Sequence, residues 1–158
     1  MLKAILTLTL LLAEIVSSAA QEARKVHEMG AEDCESEMAF LDSFANSLND
    51  EPNSLGYIVV YGGRRDTKRD EIQVRGARIK RYMIESRGIN SDQIEVVDGG
   101  YREKFTVELW LIPRGAKRPA STPTVNQKAV RFKRGKMERW REPGCFPGKY
   151  IIPKARPA

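Results

Sequence analysis

Four basic residues crowd one short stretch, Arg64, Arg65, Lys68 and Arg69, with Asp66 and Asp70 between and beside them. They follow the apolar run Tyr57-Ile58-Val59-Val60-Tyr61 and the pair Gly62-Gly63, which places them where a strand turns into a helix. Guanidinium groups fork onto carboxylate or phosphate oxygens, and a helix start adds N–H donors and a positive dipole end. The chemistry open to such a turn is anion capture; the plainer reading is a solvated charged loop. A second basic set, Lys128, Arg131, Lys133, Arg134, Lys136, Arg139 and Arg141, is interleaved with Phe132, Met137 and Trp140. Cations in that number neutralise a polyanion, and an aromatic ring adds stacking. The alternatives are a soluble disordered extension, or a tail that folds back across the rest of the chain.

Covalent and acid–base catalysis have little to work with. His27 is the only histidine and sits in a short edge-strand-like stretch, where a surface or half-buried role outweighs that of a general base. No Ser-His-acid or Cys-His arrangement is apparent. One His and two distant Cys do not make a tetrahedral zinc set. Strand and loop positions account for the carboxylates of Asp98 and Glu108. The chain therefore reads as a non-enzyme without metal or cofactor.

The elements that must position these residues follow from hydrophobic spacing. Residues 24–29 suit a short edge strand. Met38, Leu41, Phe44, Ala45 and Leu48 recur at intervals of three and four, predicting a helix over 33–49 with Asp33 at its start and Pro52 beyond its end. Leu55 to Tyr61 is an unbroken strand-favouring run, which predicts a strand covered on both faces and stopped by Gly62-Gly63. Ile72, Gly76, Ile79 and Met83 form the buried line of a second helix over about 68–87, closed by Gly88. Ile94 to Val97 is a third strand, ended by Asp98-Gly99-Gly100. Phe105 to Ile112 is a fourth: Phe105, Val107, Leu109 and Leu111 share one face, while Thr106, Glu108 and Trp110 predict a half-exposed other face. After Pro113 the periodicity disappears. The order is β-α-β-α-β-β, an α/β (α+β) sandwich with two helices on one face of a mixed sheet.

Charge and the first residues bound where such a chain works. Residues 114–158 carry 13 Lys and Arg against two Glu, a net +11, whereas residues 21–112 sum to −5. At the start, Lys3, an apolar run of about ten residues and Ser18-Ala19-Ala20 have the form of a cleavable export signal, with cleavage before Gln21; an uncleaved anchor is the alternative. The run is short of the roughly 20 residues that span a bilayer, and no later stretch is long and apolar enough. In an oxidising compartment, Cys34 and Cys145 read as one disulfide, worth at most about 4–5 kcal/mol in the chain-entropy model; unpaired or intermolecular thiols are the alternative.

Three segments carry a resemblance. Glu37 to Tyr61, the Arg-rich stretch Val74-Arg75-Gly76-Ala77-Arg78-Ile79-Lys80-Arg81-Tyr82-Met83 running to Arg87-Gly88-Ile89, and Asp92-Gln93-Ile94-Glu95-Val96-Val97-Asp98-Gly99-Gly100-Tyr101 resemble the OmpA-like peptidoglycan-binding domain. Residues 33–112 resemble that family and, within it, small exported bacterial proteins. The resemblance implies an envelope or periplasmic protein that grips a peptidoglycan stem peptide, using an Arg on the second helix and an Asp after the central strand. Arg75 falls on the Arg position. The Asp position falls on Gly62-Gly63-Arg64-Arg65, with a shorter loop than the family's, and the nearest acids are Asp66 and Asp70. Tyr101 and Arg102 fall beside the family's ligand rim.

The expectation is a signal peptide over 1–20, an OmpA-like domain over 21–113 and a basic tail over 114–158. Ligand contacts would come from Arg75, Arg64, Arg65, Asp66 and Asp70. The expected partners are a stem peptide, or an anionic envelope polymer or lipid met by the tail, and not nucleic acid. The alternative is an envelope scaffold that binds another protein and has lost peptidoglycan binding.

Overall fold

The computed structural model describes residues 21–65 and 67–137. The expected leader, Asp66, and the stretch holding Arg139, Trp140, Arg141 and Cys145 lie outside them, and with Cys145 the expected bridge to Cys34. The elements are β1 (Arg24–Met29), α1 (Cys34–Asp50), β2 (Leu55–Gly63), α2 (Glu71–Arg81), β3 (Ile94–Arg102) and β4 (Thr106–Ile112). They form one mixed sheet in the order β1-β4-β2-β3, with β2 parallel to β3 and antiparallel to β4.

Both helices lie on one face of this sheet. Leu41, Phe44 and Leu48 of α1 and Ile72 and Ile79 of α2 pack with Ile58, Val60, Val107, Leu109 and Leu111 in a single core. At the start of α1, Asp33 caps the helix by accepting the Ser36 N–H at 2.9 Å. That bond holds its carboxyl below the ordinary value. At the start of α2, Glu71 accepts the Lys68 N–H at 3.0 Å and returns its own N–H to the Lys68 carbonyl at 3.2 Å. This reciprocal cap turns residues 68–70 outside the helix, so α2 begins later than its apolar spacing predicts. It runs on into a π-type turn, Tyr82–Ser86, and closes at Gly88, whose φ of 70° suits glycine.

Two glycine pairs expected to end strands do not. β2 continues through Gly62-Gly63, which pair with Tyr101 and Arg102 of β3, and β3 continues through Asp98-Gly99-Gly100 to Arg102. The register slips at Gly99, because Asp98 opposes Val60 while Gly100 opposes Tyr61. A Cβ on Gly99 would lie 2.5 Å from Tyr61 Cε1 and 2.7 Å from Val59 Cγ1. Glycine serves there as a bulge and a close approach, not as a stop.

On the outer face of β4, Thr106 and Trp110 are half-exposed as their alternation predicts, but Glu108 between them is covered. Glu108 is only 5% accessible, and Trp110 packs with Tyr57, Val59, Tyr61 and Ile112 in a second apolar layer that includes Ala116. The cover is residues 114–137, hereafter the strap. It folds back across the sheet, as one reading of the tail expects.

Candidate anion-binding face

The strap is anchored along the end of the sheet. Thr122 donates its N–H to the Tyr61 hydroxyl at 3.1 Å, and Thr124 and Val125 donate theirs to the Tyr101 carbonyl at 2.9 and 3.0 Å. Val125 and Val130 are buried. Further along, the strap runs beside the turn between β2 and α2. Arg131 donates its N–H to the Arg64 carbonyl at 2.8 Å, and Lys133 donates its N–H to the Thr67 carbonyl at 2.9 Å. Asp70 Oδ1 takes the Met137 N–H at 2.9 Å, and Lys68 Nζ reaches the Lys136 carbonyl at 3.2 Å. Thr67 is itself held by its hydroxyl, which accepts the Gly63 N–H at 2.7 Å.

These main-chain bonds merge the two basic sets that the sequence keeps some 60 residues apart. Arg64, Arg65 and Arg69 of the turn and Arg131, Lys133, Arg134 and Lys136 of the strap are all exposed on one stretch of surface, with Lys68 half-exposed among them. Arg64 pairs with Glu103 at 3.0 Å, and Arg69 lies over the Phe132 ring at 4.6 Å. Among the described residues, Arg65, Arg131, Arg134 and Lys136 have no carboxylate partner. Five arginines elsewhere are taken up: Arg24 by Glu51, Arg78 by Glu37, Arg87 by Asp42, Arg102 by Glu108 and Arg118 by Glu95. Arg65, Arg131, Arg134 and Lys136 of this face are therefore left to solvent or to a ligand.

The structure does not bring Arg75 to that face as a free fork. Its side chain is 15% accessible, and its guanidinium donates to Glu71 Oε1 at 3.1 Å, stands 4.0 Å from Glu37 and stacks over Phe105 at 4.5 Å. Glu37 is buried and takes two bonds from Arg78, at 3.0 and 2.9 Å. Two carboxylates and an aromatic ring thus already occupy Arg75 from within. Asp70, the other described acid named for the ligand, spends Oδ1 on the strap backbone. Tyr101 and Arg102 also serve the strap. Tyr101 meets Phe132 edge-on, 5.7 Å between ring centroids. Arg102 donates to Thr122 Oγ1 at 2.6 Å and lies over the Tyr61 ring at 3.7 Å.

Sequence reasoning missed the buried cluster at Glu108. Its carboxylate accepts from Arg102 at 2.9 Å, Trp110 Nε1 at 3.1 Å, Lys25 at 3.2 Å and the Tyr61 hydroxyl at 3.3 Å. Burial alone would push this carboxyl up, but the bonds from Arg102, Trp110 and Lys25 outweigh it and hold the group below its ordinary value. No motif marks this cluster, since its members come from β1, β2, β3 and β4. Among the described residues, no three His, Cys, Asp or Glu side chains gather to hold a metal ion, and no helix is long and apolar enough to cross a membrane.

No protein-family model matches the chain, and no curated protein matches it.

Proposed function

We propose that this chain is an exported, non-catalytic cell-envelope protein with a divergent OmpA-like domain, and that it binds an anionic envelope component through the composite basic face. One observation carries the reading. The Arg131 N–H bond to the Arg64 carbonyl joins two cation sets into a surface on which Arg65, Arg131, Arg134 and Lys136 have no carboxylate partner among the described residues. The first twenty residues support export. Element order and the placement of both helices on one sheet face support the OmpA-like resemblance. Arg75, held by Glu71 and Glu37, favours an anionic polymer or lipid over an amino-acid head group, which needs a free acid as well as a free base.

Retention of the mature chain on phosphatidylglycerol vesicles, lipopolysaccharide and diaminopimelate-type peptidoglycan sacculi tests this. The expected result is salt-sensitive retention on a phosphate-bearing surface, lost in an Arg65→Glu/Arg134→Glu variant and kept in Arg75→Ala. Retention on sacculi alone, abolished by Arg75→Ala, would replace this reading with stem-peptide binding. No retention on any surface would favour the scaffold alternative.

A further inference from the structure

Arg65 and Arg131 stand opposite each other as partners in a parallel backbone bridge. Adjacent strands in such a pairing lie about 4.8 Å apart and matched residues project to the same side. Both residues are exposed, and neither pairs with a carboxylate among the described residues. Like charges set directly opposite one another destabilise the pairing that holds them.

The rest of the strap shows the contrary arrangement. Its first half is drawn in by opposite charge and by burial: Arg118 meets Glu95 at 2.8 Å, Arg102 grips Thr122, and Val125 is buried. Its second half, residues 126–137, carries Lys128, Arg131, Lys133, Arg134 and Lys136 and no acid, and it docks against a turn that is itself basic. Backbone N–H bonds to the Arg64 and Thr67 carbonyls and to the Asp70 carboxylate, together with buried Val130 and the contacts of Phe132 with Tyr101 and Arg69, hold this half against that repulsion.

Resting on the anionic-ligand reading above, we infer that residues 126–137 form a ligand-assembled clamp. A multivalent oxyanion, carrying two or more phosphate or carboxylate groups, bridges Arg65 on the turn and Arg131 on the strap. It removes the repulsion between them and locks the strap down. Because the ligand binds the docked strap better than the released one, binding and docking strengthen each other by the same factor. A single-charge anion satisfies one guanidinium at a time and gives little locking.

Residue-resolved hydrogen exchange on the full mature chain tests the clamp, with linear polyphosphate as soluble probe, phosphatidylglycerol vesicles as membrane probe and inorganic phosphate at matched ionic strength as control. Exchange of the Arg131, Lys133 and Met137 amides is expected to slow at least tenfold with polyphosphate or vesicles, and much less with inorganic phosphate. The Thr124 and Val125 amides should be unchanged. Protection by only one probe identifies its source as free polymer or membrane. Co-sedimentation or equilibrium dialysis in the same samples reports binding. Binding without slowed exchange at these three amides overturns the clamp and leaves the basic face standing, whereas absence of binding overturns both. Arg131→Glu converts the like pair to an opposite one, so its strap should be protected without any ligand and its affinity lowered. If that variant exchanges as fast as the ligand-free wild type, repulsion is not what loosens the strap and the inference fails.

Discussion

Glu108 and Arg102 meet at 2.9 Å on the sheet face that carries no helix. The same guanidinium reaches Thr122 of the strap, and the same carboxylate accepts a hydrogen bond from the Tyr61 hydroxyl at 3.3 Å. Tyr61 in turn receives the Thr122 N–H. The acid therefore sets the position of the two groups that fasten the strap to the sheet.

Removing that acid takes the shared acceptor from its donors. Glu108→Ala leaves the Trp110 N–H without its acceptor, and leaves Arg102 with Thr122 and Lys25 with Glu28 in place of a shared buried carboxylate. Breaking a buried pair on one side costs about 3–5 kcal/mol. Urea unfolding should show a loss of that order, with a smaller loss for Glu108→Gln, which keeps part of the hydrogen bonding.

Acid should act through the same group. Glu108 sits below its ordinary value of 4.5. Asp42 sits below 3.8: burial opposes this, but bonds from Arg87 and Tyr82 prevail. Glu51 is lowered chiefly by Arg24. A carboxyl lowered on folding contributes stability that is complete above its ordinary value and is lost as pH falls through its native one. Urea midpoints should therefore hold from neutral pH to about pH 5 and decline below the ordinary values of these three acids. In Glu108→Gln, starting from a lower plateau, that decline should be shallower. An equal decline in both proteins would count against Glu108 as an acid-sensitive group.

Arg75 should prove to be a stability residue. Its substitution by Ala removes a charge-assisted bond to Glu71 and a cation–π contact with Phe105, together about 1–3 kcal/mol. Thermal or urea unfolding should register that loss while retention on anionic vesicles is unchanged.

Gly99→Ala should destabilise without touching any charge. The new methyl would press on Tyr61 and Val59 at 2.5–2.7 Å, and overpacking of this kind costs about 1–3 kcal/mol. A lowered melting temperature with unaltered vesicle retention is the expected outcome.

The helices and strands were legible because their apolar residues repeat. Leu41, Phe44 and Leu48, and Ile72, Ile79 and Met83, fall on the buried sides that their spacing predicts. The unbroken run in β2 correctly implied two covered faces. What covers the second face was only an alternative among readings of the tail, because the strap has no period. It is fixed by isolated anchors, Val125 and Val130, and by backbone bonds to Tyr101, Arg64 and Thr67, which leave no pattern along a chain. For the same reason Glu108, flanked by Thr106 and Trp110, looked half-solvated. The cations of the basic face were legible as two separate sets, and their meeting was not. Around Arg75, Glu71 lies one helical turn away and was open to inference, whereas Glu37 comes from the other helix.

The strap's position has a consequence for anyone dissecting the molecule. Cutting after Pro113, where composition changes, would strip the lid from Tyr57, Val59, Tyr61 and Trp110 and turn one whole side of the sheet into a wet aromatic plane. Such a plane invites self-association. A shortened version made without the basic extension should therefore clump where the longer chain stays dispersed, because a segment rich in lysine and arginine is also the one that keeps an oily surface dry.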